Sequence, residues 1–219
     1  TGFLWISSWK GGIILFDPIN YKVLKIYKTT NSKIPVDNIY SIYIDDENNL
    51  WLGTYLKGIV KFNLKNQNFE YFDQTNSSIG NNIVYKIVKY KGDKLFLVTP
   101  SSFDLFDTKN KTFISYSYTN NSGISHLNVQ DIFVENDTSV WIGTEYGLNR
   151  FNPETKKFYH YFTKHGLPSN NIRAIIKDNF SYLWVATNKG LCRFNPYTSE
   201  SYIYTTEDGL QGNDFNIYS

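Results

Sequence analysis

The side chains in this sequence that could do acid–base, nucleophilic or metal chemistry are three histidines, one cysteine and twenty carboxylates. A metal site needs ligands that converge at regular local spacing or on one strand face. His160 lies in an aromatic strand-like segment, His165 in the loop after it, and His126 a repeat away, so all three read as structural or surface residues. The acidic run Asp45-Asp46-Glu47-Asn48-Asn49 lacks the ligand spacing and the glycine of a calcium loop, and Asp and Asn are what a tight turn uses. Glycoside hydrolysis needs two carboxylates placed across a cleft, but the carboxylates here recur in equivalent turns and no pair stands out. Serine-nucleophile motifs and phosphate-binding loops are missing. The lone Cys192 has no partner for an internal disulfide. No catalytic residue, metal ligand or cofactor is expected.

What remains is recognition chemistry. Tyr40, Tyr85, Gln130, Arg173 and Asn216 recur at the period of an internal repeat, each two residues into a strand entry: Asp37-Asn38, Asn82-Ile83, Leu127-Asn128, Asn170-Asn171 and Asn213-Asp214. The recurrent Asn suits backbone capping. The varying aromatic, amide and guanidinium groups suit a small ligand such as an oligosaccharide or a peptide. The alternative reading of these five positions is ordinary solvent-facing variation.

The elements that carry these residues follow from the repeat. Anchors occur at Trp5, Trp51, Phe96, Trp141 and Trp184, with spacings of 46, 45, 45 and 43. Each anchor sits in a segment of the type Leu50-Trp51-Leu52-Gly53-Thr54. It is followed by a second segment such as Gly147-Leu148-Asn149-Arg150-Phe151-Asn152 and an aromatic third such as Phe158 to Phe162. From the second copy on, a fourth segment precedes the anchor, as in Ile39 to Ile44. Four short strands in roughly 40–45 residues form a propeller blade. The predicted fold is therefore an all-β propeller of about five four-stranded blades, over residues 1–29 plus 213–219, 36–73, 82–118, 128–162 and 171–205. Either residues 213–218 pair with residues 3–8 and close a ring, or the chain is part of a larger propeller whose ends pair with another copy, giving self-association as a dimer. Gly58, Gly147 and Gly190 are expected at turns that need positive φ. The third copy, with Phe96, Pro100 and no turn glycine, reads as a degenerate blade.

Composition agrees with this and excludes other classes. Aromatics make up 18% of the chain, Met is absent, and helical periodicity is missing, which favours pleated surfaces. The net charge is +2, with 22 basic and 20 acidic residues spread along the chain. This argues against nucleic acid or a membrane surface as partner. No apolar run approaches the roughly 20 residues of a membrane-spanning helix, and the chain opens within a repeat with no leader visible.

The unit exemplified by Gly166-Leu167-Pro168-Ser169-Asn170-Asn171-Ile172, Leu183-Trp184, Gly190-Leu191 and Phe194-Asn195 resembles the two-component regulator propeller repeat, as does Glu207-Asp208-Gly209-Leu210-Gln211-Gly212-Asn213-Asp214-Phe215. The resemblance extends over the whole chain. It implies an extracytoplasmic (periplasmic or cell-surface) sensor region of a bacterial membrane signalling protein, with a histidine kinase, hybrid kinase or diguanylate cyclase output. Several such regions respond to oligosaccharides. No catalysis is implied for this segment. The alternatives are a polysaccharide-active hydrolase or lyase and a protein-binding scaffold.

Overall fold

A computed structural model describes residues 2–120 and 122–216. Two compact units are present. One comprises residues 1–89, 93–99 and 104–115, and the other residues 90–92, 100–103 and 116–219. Nearly all regular structure is strand, in five antiparallel sheets. Sheet 1 has three strands, β1 (Leu4–Ser8), β2 (Gly12–Asp17) and β3 (Lys22–Tyr27). Sheets 2 to 5 have four strands each, joined in sequence order. They are β4 to β7 (Ile39–Ile44, Asn49–Thr54, Ile59–Asn63, Phe69–Phe72), β8 to β11 (Lys86–Lys89, Lys94–Val98, Ser102–Asp107, Thr112–Ser117), β12 to β15 (Val129–Asn136, Ser139–Thr144, Gly147–Asn152, Lys157–Tyr161) and β16 to β19 (Ile172–Lys177, Leu183–Thr187, Gly190–Asn195, Glu200–Tyr204).

The sheets pack through their anchors. In the first unit Trp5 and Tyr27 of sheet 1 meet Phe62 of sheet 2 at centroid distances of 6.2 and 4.9 Å. Trp51 and Phe72 of sheet 2 both meet Phe106 at 5.4 Å. In the second unit Trp141 joins the cluster of Leu183, Val185, Cys192 and Phe194, and Tyr161 meets Phe194 at 5.6 Å. Trp51 and Trp141 are buried. Removing an indole from water stabilises by several kcal/mol at about 25 cal/mol per Å².

A buried indole still has an N–H that needs an acceptor. The repeat supplies a carboxylate six residues upstream. Trp51, Trp141 and Trp184 donate through Nε1 to Asp45, Glu135 and Asp178 at 2.8, 2.9 and 3.1 Å. Directly across the strand pair from each indole stands a cation, Lys61, Arg150 or Arg193. Lys61 and Arg150 lie over their Trp rings at 5.3 and 5.9 Å. Arg193 pairs with Asp178 at 3.1 Å. The third copy, with Phe96 as its anchor, has Tyr90 and Leu105 at the carboxylate and cation positions. An anchor without an N–H has shed the acceptor as well, so this copy is a variant of the scheme that still forms a sheet.

Turn clamps link the first, second, fourth and fifth blades to the strand entry or segment that follows. The N–H groups of Gly12, Gly58, Gly147 and Gly190 donate to the carbonyls of Asp37, Asn82, Asn170 and Asn213 at 2.7–2.9 Å. The Oδ1 atoms of these four residues accept from the N–H groups of Thr29, Gln74, Thr163 and Thr206. The recurrent Asn is thus a backbone clamp, as its chemistry suggests. Gly58 has φ +58°, and a Cβ there would lie 2.0 Å from the Phe72 carbonyl oxygen. The expected pairing of residues 213–218 with residues 3–8 falls partly on residues 217–219, outside the described residues. Among the described residues sheet 1 has no fourth strand, and Asn213 and Phe215 bond to Gly190 and Thr187 of the last blade.

Glu135 provides a test of the indole–carboxylate scheme. Burial raises its pKa, but hydrogen bonds from Lys177, Trp141 and Ser139 outweigh this and hold it below the ordinary value of 4.5. A depressed folded-state pKa gives stability that is present above about pH 4.5 and lost as pH falls through the folded value. Glu135→Ala is expected to cost about 2–3 kcal/mol at pH 7 in urea unfolding, because a buried donor and a lysine lose their acceptor. In Glu135→Gln the loss of stability as pH falls below about 4.5 becomes shallower than in the wild type.

Candidate functional site

Of the strands that open a four-stranded blade, β4, β8 and β16 enter beside a turn clamp. Three of the four opening strands, β4, β12 and β16, carry a β-bulge, and the extra residue is the one the repeat comparison singles out. Ile39 pairs with Thr54 and Ser41 with Gly53, which leaves Tyr40 unpaired. Val129 pairs with Thr144 and Asp131 with Gly143, leaving Gln130. Ile172 pairs with Thr187 and Ala174 with Ala186, leaving Arg173. A bulge releases one residue from the ladder and re-aims its side chain.

In the first unit the structure brings Tyr40 and Tyr85 together at 5.0 Å between centroids. Two residues that the sequence comparison missed complete the group. Trp9 lies 5.3 Å from Tyr40 and 5.4 Å from Tyr55, and Tyr40 and Tyr55 are 6.5 Å apart. Trp9 is 50% exposed, unusual for an indole. The three tyrosines are half-buried. Burial raises the Tyr40 pKa, and the neighbouring Tyr85 and Tyr55 raise it further, so this phenol is uncharged at neutral pH. The set presents π faces with neutral hydroxyl tips and carries no formal charge of its own.

In the second unit the structure joins Gln130 and Arg173. Arg173 Nη1 donates to Gln130 Oε1 at 3.3 Å, and Gln130 Nε2 donates to Asn171 Oδ1 at 3.4 Å. Arg173 Nη2 lies 3.7 Å from Asp214. Asn128 Nδ2 donates to Glu145 Oε2 at 2.7 Å. Arg173 Nε and Asn188 Oδ1 are buried with no hydrogen-bond partner among the described residues. Asp131, beside Gln130, is scaffold: its Oδ2 accepts the Ile175 N–H at 2.8 Å and ties sheet 4 to sheet 5. Asn216 is exposed and outside any strand. Phe215 donates to the Thr187 carbonyl as Val84 does to that of Thr54, so Asn216 holds the repeat position of Tyr85.

The signal for the missed residues was present. Trp9, Tyr55, Pro100, Glu145 and Asn188 all follow the Ser or Thr that ends an anchor segment, and they vary as freely as the bulge positions. The Tyr55 and Glu145 N–H groups donate to the Asn38 and Asn128 carbonyls at 3.1 Å, which places these residues next to the strand entries.

Other chemistry-bearing groups are used by the scaffold. His160 Nδ1 is 2.8 Å from Asn149 Oδ1, and burial lowers its pKa. His165 Nδ1 and His126 Nδ1 accept the N–H groups of Phe162 and Asn128. Among the described residues no three His, Cys, Asp or Glu side chains form a metal-binding group. A cleft of about 370 Å³ in the first unit is lined by Lys61, Lys89, Lys109 and Lys111 together with Asp45, Glu47 and Asp93. Asp45 there already serves Trp51 and Asn49, and Lys111 pairs with Glu70.

Clamped four-stranded sheets wedged by one aromatic anchor per repeat define the class: the chain is an array of β-propeller blades. Residues 33–56 and 166–189 match the family described as "Two component regulator propeller". No curated protein sequence matches the chain. Among solved structures it is similar to the extracellular domain of BT3049 from B. thetaiotaomicron, assigned to a hybrid two-component system (TM-score 0.77, 26% identity, 96% of this chain and 28% of that one). It is also similar in fold to the extracellular domain of BT4673 from the same organism (0.78, 20%, 97% and 28%). A third likeness in fold is PorZ, a surface component of the type-IX secretion system of Porphyromonas gingivalis (0.70, 17%, 97% and 34%). The chain spans about a third or less of the length of these neighbours.

Cys192 offers a check on the core behind the second set. Burial pushes its thiol up to about 12, and the thiolate is the reactive form. In the folded protein at pH 8 it should resist a thiol reagent such as DTNB, and react at the rate of a free thiol only in denaturant. Rapid labelling under native conditions would show that sheets 4 and 5 separate.

Proposed function

We propose that the chain is a ligand-binding module of an extracytoplasmic sensor in a bacterial membrane signalling protein, with no catalysis of its own. The repeat family and the extracellular neighbours support the sensor role. The ligand is a small neutral molecule, an oligosaccharide or a peptide, taken at the strand entries. The observation that carries this reading is the half-exposed aromatic set Trp9, Tyr40, Tyr55 and Tyr85, built around a bulge residue. A scaffold would bury an indole, as it does Trp51 and Trp141. Here Trp9 is left open beside neutral hydroxyls, which suits a ligand with an apolar face and polar edges. A signal then requires that the ligand favour one arrangement of the receptor over another.

Thermal-shift screening against neutral oligosaccharides and peptides tests this. A ligand that binds only the native state stabilises by about 2.7 kcal/mol at one hundred times its Kd. Saturable stabilisation without turnover is expected. Trp9→Ala and Tyr85→Ala should each weaken binding roughly tenfold, about 1.4 kcal/mol, and binding should quench Trp fluorescence in the wild type but not in Trp9→Ala. Product formation would replace the sensor with an enzyme, and unchanged affinity in both variants would move the site elsewhere.

A further inference from the structure

The cleft of about 370 Å³ in the first unit lies away from the strand entries. Strand β4 has Tyr40 at its entry and leads, at its other end, into the Asp45–Asp46 turn that borders the cleft. The equivalent positions in sheets 4 and 5 show what blade packing makes of such a place. There Lys177 bonds to Glu135. Arg150, opposite Trp141, stands 5.4 Å from the ring of Tyr197. Opposite charges meet, and an aromatic ring covers the remaining cation.

Sheets 2 and 3 fill the same positions differently. Lys61, opposite Trp51, holds the place of Arg150. Lys109 holds the place of Tyr197: in matching turns their N–H groups donate to Asp107 and Asn195 at 3.1 and 3.0 Å. Where the fifth blade offers the fourth a ring, the third offers the second an ammonium group, and two like charges line one cleft. The Asp45 carboxylate is taken up by Trp51, Asn49 and its own turn. Among the described residues the Lys61 and Lys109 ammonium groups make no hydrogen bond or ion pair, and neither do the Asp46 and Asp93 carboxylates of the same cleft. Strand order separates the two signs. Asp46 and Asp93 sit in the β4–β5 and β8–β9 turns, while Lys61 sits on β6 and Lys109 in the β10–β11 turn, farther across their sheets.

We propose that this cleft is a second ligand site, separate from the strand entries, and that it takes a short zwitterionic peptide. The terminal carboxylate lies between Lys61 and Lys109, and the terminal ammonium is received by Asp46 and Asp93. A cleft with unmet cations toward one side and unmet anions toward the other is complementary to a ligand of the reverse polarity. Each end then gains charge-assisted hydrogen bonds, the strong kind. A ligand of one sign alone would leave the other end unpaired. Both walls come from sheets 2 and 3 of the first unit, and the volume is in the range of small-molecule sites.

Isothermal titration calorimetry of the 219-residue chain with trialanine at low salt tests this. N-acetylated and C-amidated trialanine probe the two ends separately. Free trialanine should bind saturably, and either cap should weaken it roughly tenfold, as the loss of a charge-assisted hydrogen bond requires. Lys109→Tyr reproduces the arrangement of the fifth blade. It should weaken free trialanine about tenfold and leave the affinity for the C-amidated peptide unchanged, because that peptide has no carboxylate to lose. Asp93→Asn keeps the backbone carbonyl that Thr108 uses. It should weaken free trialanine and leave the affinity for the N-acetylated peptide unchanged. The unchanged affinities also show that both variants are folded. The proposal is overturned if free trialanine does not bind at millimolar concentration, if either cap leaves its affinity unchanged, or if either variant binds it as the wild type does. Binding that Trp9→Ala abolishes and Lys109→Tyr does not would belong to the strand entries and overturns it as well.

Discussion

The whole array depends on an indole that must be dry on its faces and hydrogen-bonded at its edge. The faces are satisfied by the next sheet, where a phenylalanine ring meets the indole or the aromatic residue beside it. The edge is satisfied within the indole's own blade by a carboxylate six residues upstream. Dispersion and burial reward only close packing, and an unmet N–H in that packing would cost much of the gain. The second, fourth and fifth blades therefore carry their acceptor as part of the repeat. The third copy shows the coupling in reverse: with a phenyl anchor, the carboxylate and cation positions became Tyr90 and Leu105. Apolar packing there needs no edge partner, and neither a carboxylate nor a cation stands at those positions.

The fold was legible because every level pointed the same way. Strand-length aromatic and β-branched segments, turn residues between them and an anchor recurring every 43 to 46 residues leave little but blades. The indole–carboxylate pair was hidden for a chemical reason: Asp45 sits in a run of Asp, Glu and Asn that also satisfies the rules for a turn. The turn reading was right as far as it went. Asp45 does accept the Glu47 and Asn49 N–H groups, and the indole uses its other oxygen.

The site was half legible. Variation at a fixed repeat position singled out Tyr40, Tyr85, Gln130 and Arg173, and the bulges explain why Tyr40, Gln130 and Arg173 escape the ladder. Trp9 and Tyr55 were missed because they lie outside the strand that defined the search. They approach it only through the turn hydrogen bond from the Tyr55 N–H to the Asn38 carbonyl and the ring contacts with Tyr40. The two sets also differ in kind: the first unit collects aromatic rings, and the second collects amides and charges that largely satisfy one another. Only the first leaves a large apolar group uncovered.

That contrast separates scaffold from site more firmly than residue type does. Trp51 and Trp9 are chemically the same side chain, and both stand within the same fold unit. One has its N–H capped and its faces covered, and the other is half open among three phenols. An exposed indole costs hydrophobic stabilisation that burial would return, by about 25 cal/mol per Å². The clamps, bulges and anchors are indifferent to what stands at position 9, because none of their hydrogen bonds pass through its side chain. A residue that the scaffold does not need, kept at a cost to folding and held beside a bulged tyrosine, is where an external partner can regain that lost burial.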